Sequence, residues 1–212
     1  MSKTSLNAAQ VKEMMFAVAD AIIAAEPLLS EADRNLGDGD HGLGMQRGMT
    51  AVKEKLAGLD AAATPDKIFQ TSGMAMMSSM GGASGVVFGT LFMSGAKALI
   101  GKAEIGSAEY AAFLQSACEG VSTRGKAKPG DKTMVDALHP AAEKAREAAG
   151  LALPEAAAAV AAAAEAGRDA SSALIATLGR AKTLGEASIG HPDAGACSVA
   201  IILRTISDYI AG

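Results

Sequence analysis

Between Ile68 and Ala96 the chain carries no Asp, Glu, Lys or Arg. An uncharged run of that length has to be buried, either in a bilayer or in a protein core. It is interrupted by Ser72, Gly73, Ser78, Ser79, Gly81, Gly82, Ser84 and Gly85, a break that a lipid-exposed helix does not tolerate. The run therefore predicts two buried helices joined by a glycine turn. Composition extends that reading to the rest of the chain. Half of the 212 residues are hydrophobic but only 3% are aromatic. The apolar residues are mainly Ala, Leu, Val, Ile and Met, which suit closely packed helices better than a β-sandwich.

Helical spacing recurs throughout, and no run alternates as a strand would. The first helix is expected from Asn7 to Leu29, with Val11, Met14, Met15, Val18, Ile22 and Ile23 on its apolar face. A second is expected over 43–59, and Thr64-Pro65 offers a cap and a first-turn proline for a third that ends near Ser79. Others follow over 84–100, 107–123, 131–149, 155–177 and 195–210, which makes eight. Three longer, glycine-bearing connections remain, 34–42, 124–130 and 179–195. Loops of this size in a compact helical domain usually carry function. One domain is expected over 1–212, with no internal repeat and no linker.

The net charge of −4 and the absence of a long basic run argue against nucleic acid as a partner. Cys118 and Cys197 are too few for a disulfide framework and match no metal spacing; they read as small buried thiols in a reducing compartment. The N-terminus lacks the apolar core of a signal peptide. A soluble, cytoplasmic protein without a membrane partner is expected.

Four segments carry chemistry. In the first, Asp38 and Asp40 lie between Gly37, Gly39 and Gly42, so the backbone can turn sharply and aim both carboxylates at one point, with Asp33 able to join them. Three crowded carboxylates repel one another unless a cation compensates. An all-oxygen set selects a hard ion, and the spacing is not that of the twelve-residue calcium loop, which favours Mg²⁺. Three acids suggest two ions bridging a polyphosphate. The same acids could instead cap a helix in a surface turn.

The second segment, Ser78–Gly85, could offer backbone N–H groups to an anion at a helix start, or simply let two helices pack closely. It is neither a Walker A loop nor a dinucleotide fingerprint. The third places Arg124, Lys126, Lys128 and Lys132 around a Pro-Gly turn, suited to phosphates, to an acidic partner or to plain solvation. The fourth combines Gly179-Arg180 with Gly190–Gly195, where Asp193 can cap the last helix or accept a hydrogen bond from a ribose or base.

In this order the chain resembles the nucleotide-binding L subunit of dihydroxyacetone kinases, and equally the C-terminal nucleotide domain of the single-chain enzymes. The resemblance rests on Gly37–Gly42, on Gly81–Gly85 with Phe88-Gly89-Thr90, and on Arg124-Gly125-Lys126 through Gly130-Asp131-Lys132-Thr133-Met134. Leu184-Gly185-Glu186 through Ser188-Ile189-Gly190-His191, Asp193 and Gly195-Ala196 complete a set that spans essentially the whole chain.

The resemblance implies an all-α barrel of eight antiparallel, up-and-down helices enclosing a nucleotide–magnesium site at one end. Asp33, Asp38 and Asp40 would hold two Mg²⁺ ions. His41, as a phosphate hydrogen-bond donor, would stand beside the phosphates with Gly42, Leu43, Gly44, Ala83 and Ser84. Gly125, Met134, Arg180, Asp193, Ala194 and Gly195 would line the adenine and ribose end. Relatives often carry Asn at Gly44 and Pro at Ala194.

No general base is implied on this chain. Dihydroxyacetone would be held by a separate K subunit. The nucleotide would be resident ADP, rephosphorylated by a phosphohistidine on an M subunit, or exchanging ATP. An ADP-loaded regulatory module that binds a transcription factor, and the L subunit of an ATP-dependent four-carbon ketose kinase, are the alternatives. Homodimerisation is left open.

Overall fold

The computed structural model describes residues 2–212. Among them are nine α-helices: α1 Ala8–Ala24, α2 Glu26–Arg34, α3 His41–Ala57, α4 Pro65–Ser79, α5 Gly82–Lys97, α6 Ser107–Gly125, α7 Val135–Glu147, α8 Leu153–Ser171 and α9 Ala194–Ala211. A 3-10 segment, Arg180–Ser188, lies before α9 and is kinked at Gly185. Two short strands, β1 Leu6–Asn7 and β2 Glu104–Ile105, pair antiparallel with Leu6 opposite Ile105. The class is all-α.

The helix count differs from the eight read from the sequence, because the first expected helix is two. The break falls at Ala25, with Pro27 in the first turn of α2. A proline there has no N–H to extend the ladder, and its ring clashes with the preceding turn. The helix expected from Asp131 starts at Val135 instead. Residues 130–133 turn tightly because the Asp136 carboxylate accepts the Gly130 N–H at 2.6 Å and the Thr133 N–H at 2.7 Å. Helix α8 likewise ends at Ser171, six residues short of the expected Thr177.

Helix α1 packs on α3; from there each helix through α9 packs on the next, and α9 returns to α1. Helix α2 stands outside this circuit, against α3 and α9. The side chains turned inward form one apolar cluster, with Met15, Met45, Met76, Phe88, Leu114, Leu138, Val160 and Ile202 among its members. The uncharged run does form two helices, α4 and α5. Their backbones nearly touch: a β-carbon on Gly73 would lie 2.7 Å from the Gly89 carbonyl oxygen.

Among the described residues, one helix is long and apolar enough to cross a membrane, and it is α9 rather than any part of the uncharged run. Its Val199, Ile202, Leu203, Ile206 and Ile210 are buried in the core. Cys118 and Cys197 are free thiols, both buried, and burial pushes the Cys197 thiol up to about 11.

Candidate functional site

At one end the helices open into a cavity of about 590 Å³. Its wall takes His41 and Gly44 from the start of α3, Ala83 and Ser84 from the start of α5, Val135 from the start of α7, and Ala194 and Gly195 from the start of α9. The far ends of α6, at Val121 and Gly125, and of α4, at Met80, close the rest. Four helices therefore begin at one cavity. The first turn of a helix holds backbone N–H groups without intrahelical acceptors and the positive end of the helix dipole, so four such starts favour an anion.

The acidic loop borders the same cavity. Asp33 lies in the last turn of α2, while Asp38 and Asp40 lie on the loop to α3, and one carboxylate oxygen from each lies within 4.8 Å of the others. The loop is pulled tight by Asp33, whose carbonyl accepts the Leu36 N–H at 2.9 Å and the Gly37 N–H at 2.5 Å. Gly39 then takes a left-handed conformation (φ 76°) that an L side chain rarely adopts. Capping explains only one of these acids, Asp33, whose Oδ2 accepts the His41 N–H at 3.2 Å. Asp40 occupies the cap position of α3, yet its side chain makes no cap hydrogen bond. Three convergent, largely exposed carboxylates form a donor set that fits a hard divalent cation. Arg180, from the 3-10 segment, forms an ion pair with Asp38.

His41 is buried. Its Nε2 lies 2.9 Å from Ser198 Oγ, which itself donates to the Ala194 carbonyl at 3.1 Å. A hydroxyl proton spent on Ala194 leaves Oγ to accept, which favours the tautomer with the proton on Nε2. Burial lowers the imidazole pKa, opposed by the charge of Asp33. A neutral ring in this network offers an acceptor at Nδ1, so the phosphate-donor role expected of His41 requires the imidazolium.

Of the twelve residues expected to bind nucleotide, ten line the cavity: His41, Gly44, Ala83, Ser84, Gly125, Met134, Arg180, Asp193, Ala194 and Gly195. Gly42 and Leu43 do not. Gly42 is buried against α2, and Leu43 is 48% exposed on the outer face of α3. Gly81 and Gly82 both have positive φ, and β-carbons there would meet nothing within 4 Å. They are required by the turn at the cavity rim, whereas the close helix packing falls to Gly73 and Gly89.

The basic segment divides. Arg124, Lys126 and Lys128 are solvent-exposed, but Lys132 is only 2% exposed and donates to the carbonyls of Ser171 and His191. Asp193 caps α9 through the Ala196 N–H at 2.8 Å. Burial pushes its carboxyl up to about 7, opposed by that hydrogen bond; repulsion from Asp136 adds to the rise and Lys132 counters it.

Sequence reasoning did not single out Arg47, Val87 and Val121, which also line the cavity. They sit inside helices, at spacings that read as ordinary core.

Fold and cavity together define an all-α protein with a pocket suited to a hard cation beside an anion. The chain belongs to the DAK2 domain family, whose model matches residues 35–208. It is 37% identical, over 96% of its length and 97% of the other, to the PEP-dependent dihydroxyacetone kinase, ADP-binding subunit DhaL, of Escherichia coli (strain K12). It is also 38% identical to the L-erythrulose kinase of Pectobacterium atrosepticum, covering 90% of this chain but 33% of that one. Among solved structures, the native dihydroxyacetone kinase of C. freundii is similar with a TM-score of 0.72 and 25% identity. The match covers 98% of this chain and 35% of that one, so the chain spans about a third of that enzyme's length.

Proposed function

We propose that this chain, as one domain over 1–212, is the nucleotide-holding subunit of a dihydroxyacetone (glycerone) kinase, with its ring of helices serving as the family's barrel. One observation carries the reading: three carboxylates converge at the edge of a cavity where four helices begin. The E. coli relative, matched over nearly its whole length, is an ADP-binding subunit, and that favours ADP as the resident nucleotide.

In this reading Asp33, Asp38 and Asp40 hold Mg²⁺, with room in the donor set for two ions. When bound, the metal supplies neutralisation of polyphosphate charge. The first turns of α3 and α5, with His41, Gly42, Leu43, Gly44, Ala83 and Ser84, receive phosphate oxygens. Gly42, without a side chain, and Leu43, whose side chain lies outside the cavity, can do so only through backbone N–H groups. Gly125, Met134, Asp193, Ala194 and Gly195 flank the nucleoside. Arg180 would flank that end too, once metal at Asp38 freed it from its ion pair there. Positioning and charge neutralisation carry phosphoryl transfer, and the chain supplies no general base.

The ketose comes on a separate K subunit. In the phosphotransferase-linked arrangement, an M subunit restores the terminal phosphoryl group. A cytoplasmic location keeps Cys118 and Cys197 reduced. A second reading has one supporting observation: the relatives include erythrulose kinases at 38% identity, so a four-carbon ketose on the partner is the alternative substrate.

Calorimetry of ADP binding to the purified chain with and without Mg²⁺ tests the site. Asp38→Ala and Asp40→Ala should abolish Mg²⁺-dependent binding while the helical circular dichroism stays unchanged; unaltered affinity sinks the metal assignment. Adding a K subunit and a phosphoryl source should yield the ketose phosphate. ADP binding without any product would leave an ADP-loaded regulatory module.

A further inference from the structure

Lys132 is the most enclosed charged side chain among the described residues, at 2% exposure, and it sits on a left-handed backbone with φ 60°. Such a conformation persists in a lysine only where its surroundings hold it. What holds it is a pair of short hydrogen bonds to distant carbonyls. Nζ donates to Ser171 O at 2.6 Å, on the last residue of α8, and to His191 O at 2.7 Å, just before α9. Ser171 is itself a junction: its hydroxyl accepts the Asp193 N–H at 3.0 Å and donates to Arg168 O at 2.6 Å.

The residue before Lys132 clamps the other side of the same connection. Asp131 Oδ1 accepts the Thr177 hydroxyl at 2.7 Å, and its carbonyl accepts the Thr177 N–H at 3.2 Å. Asp131 and Lys132 thus fasten residues 177 and 191, the two flanks of the segment that carries Arg180. Two carboxylates, Asp136 and Asp193, bear on the ammonium. Asp136 is fully engaged with the Gly130 and Thr133 N–H groups, and Asp193 caps α9 at the cavity wall.

We infer that Lys132 is a positioning residue, which neutralises the buried acids behind the nucleoside end of the cavity and fixes the 172–193 connection against Thr133 and Met134. It does not grip phosphate, because two of its three N–H bonds are already spent on carbonyls. The assignment rests on the nucleotide reading given above. It separates Lys132 from the exposed Arg124, Lys126 and Lys128 of the same basic segment.

The test compares two probes on the purified chain with Mg²⁺: ADP, which occupies both ends of the cavity, and inorganic pyrophosphate, which reports only the phosphate end. Lys132→Met should weaken ADP by about tenfold or more, while pyrophosphate stays within about twofold. Lys132→Arg keeps the charge but not the two-carbonyl geometry and should recover only part of the loss. Ser171→Ala keeps the carbonyl that Lys132 uses but removes the acceptor of the Asp193 N–H, and should selectively weaken ADP by about threefold; Lys132→Arg decides the matter if Lys132→Met does not fold. Equal losses for ADP and pyrophosphate would overturn the inference in favour of a phosphate grip. Full ADP affinity in folded variants would overturn it in favour of a purely structural lysine. A wild-type chain that binds neither probe would overturn the nucleotide reading itself, before any variant is compared.

Discussion

Gly42 and Ser30 are packed so closely that a β-carbon on Gly42 would lie 2.6 Å from the Ser30 backbone nitrogen. The contact fixes the start of α3 against α2, and the acidic loop is the chain between them. Neither partner can yield cheaply, since the obstruction is backbone.

Gly42→Ala should therefore force α2 away from α3. The expected cost is about 1–3 kcal/mol or more in urea unfolding, as for other overpacked sites. Mg²⁺-dependent ADP affinity should fall with it, because Asp33 and Asp40 lie on opposite sides of the contact. A variant with wild-type stability would show that the helices slide freely.

Glycines 167 and 150 make a matched pair. Towards the C-terminal end of α8, a β-carbon on Gly167 would lie 2.2 Å from the Asp136 carbonyl oxygen and 2.8 Å from Pro140 Cγ. The propensity gain of about 1 kcal/mol for alanine in a helix should be outweighed there, for a net loss of about 1–2 kcal/mol. Gly150 joins α7 to α8, and a β-carbon there would meet nothing within 4 Å. Gly150→Ala should be neutral or stabilise by about 0.5 kcal/mol. Chemical denaturation of the two variants gives the comparison.

Asp193 gives stability a pH dependence of known sign. Its folded carboxyl is pushed up to about 7 from an ordinary 3.8. Between those values the folded chain holds a proton that the unfolded chain has released, so this contribution is present in full below 3.8 and is lost as pH rises towards 7. Asp193→Asn, which can still accept the Ala196 N–H, should lose that slope. Relative to wild type it should gain about 1–3 kcal/mol between pH 5 and 7.5, at about 1.4 kcal/mol for each pKa unit. Parallel stability curves for the two proteins would contradict the buried acid.

Chelation offers a test that alters no residue. With ADP and Mg²⁺ at about a hundred times their dissociation constant, linkage should add about 2.7 kcal/mol, or about 5–10 °C in Tm for a chain of this size. A chelator should reverse the whole shift. Without nucleotide, the chelator should leave the chelator-free Tm of metal-free protein unchanged.

The acidic loop could be read in the sequence because glycines on either side of Asp38 and Asp40 have few other uses beside charges. The α4–α5 pair could be read because a long uncharged run permits few folds. Other features were hidden by non-local causes. Pro27 signalled the break between α1 and α2, but apolar spacing on both sides masked it. Lys132 looked like one of four solvated cations, and its burial depends on carbonyls 39 and 59 positions away. Val87 and Val121 face a cavity only because several helix ends converge there, so no local pattern distinguishes them from core.

The Lys3 N–H donates to the Ile210 carbonyl at 2.9 Å, so the two chain ends meet. Helix α9 begins at the cavity and runs about 27 Å to that meeting point, at 1.5 Å per residue over its 18 residues. Attachment is thereby separated from chemistry. A fusion partner, an affinity tag or a permuted junction placed there would hang from the blunt side of the molecule and leave the mouth of the pocket clear.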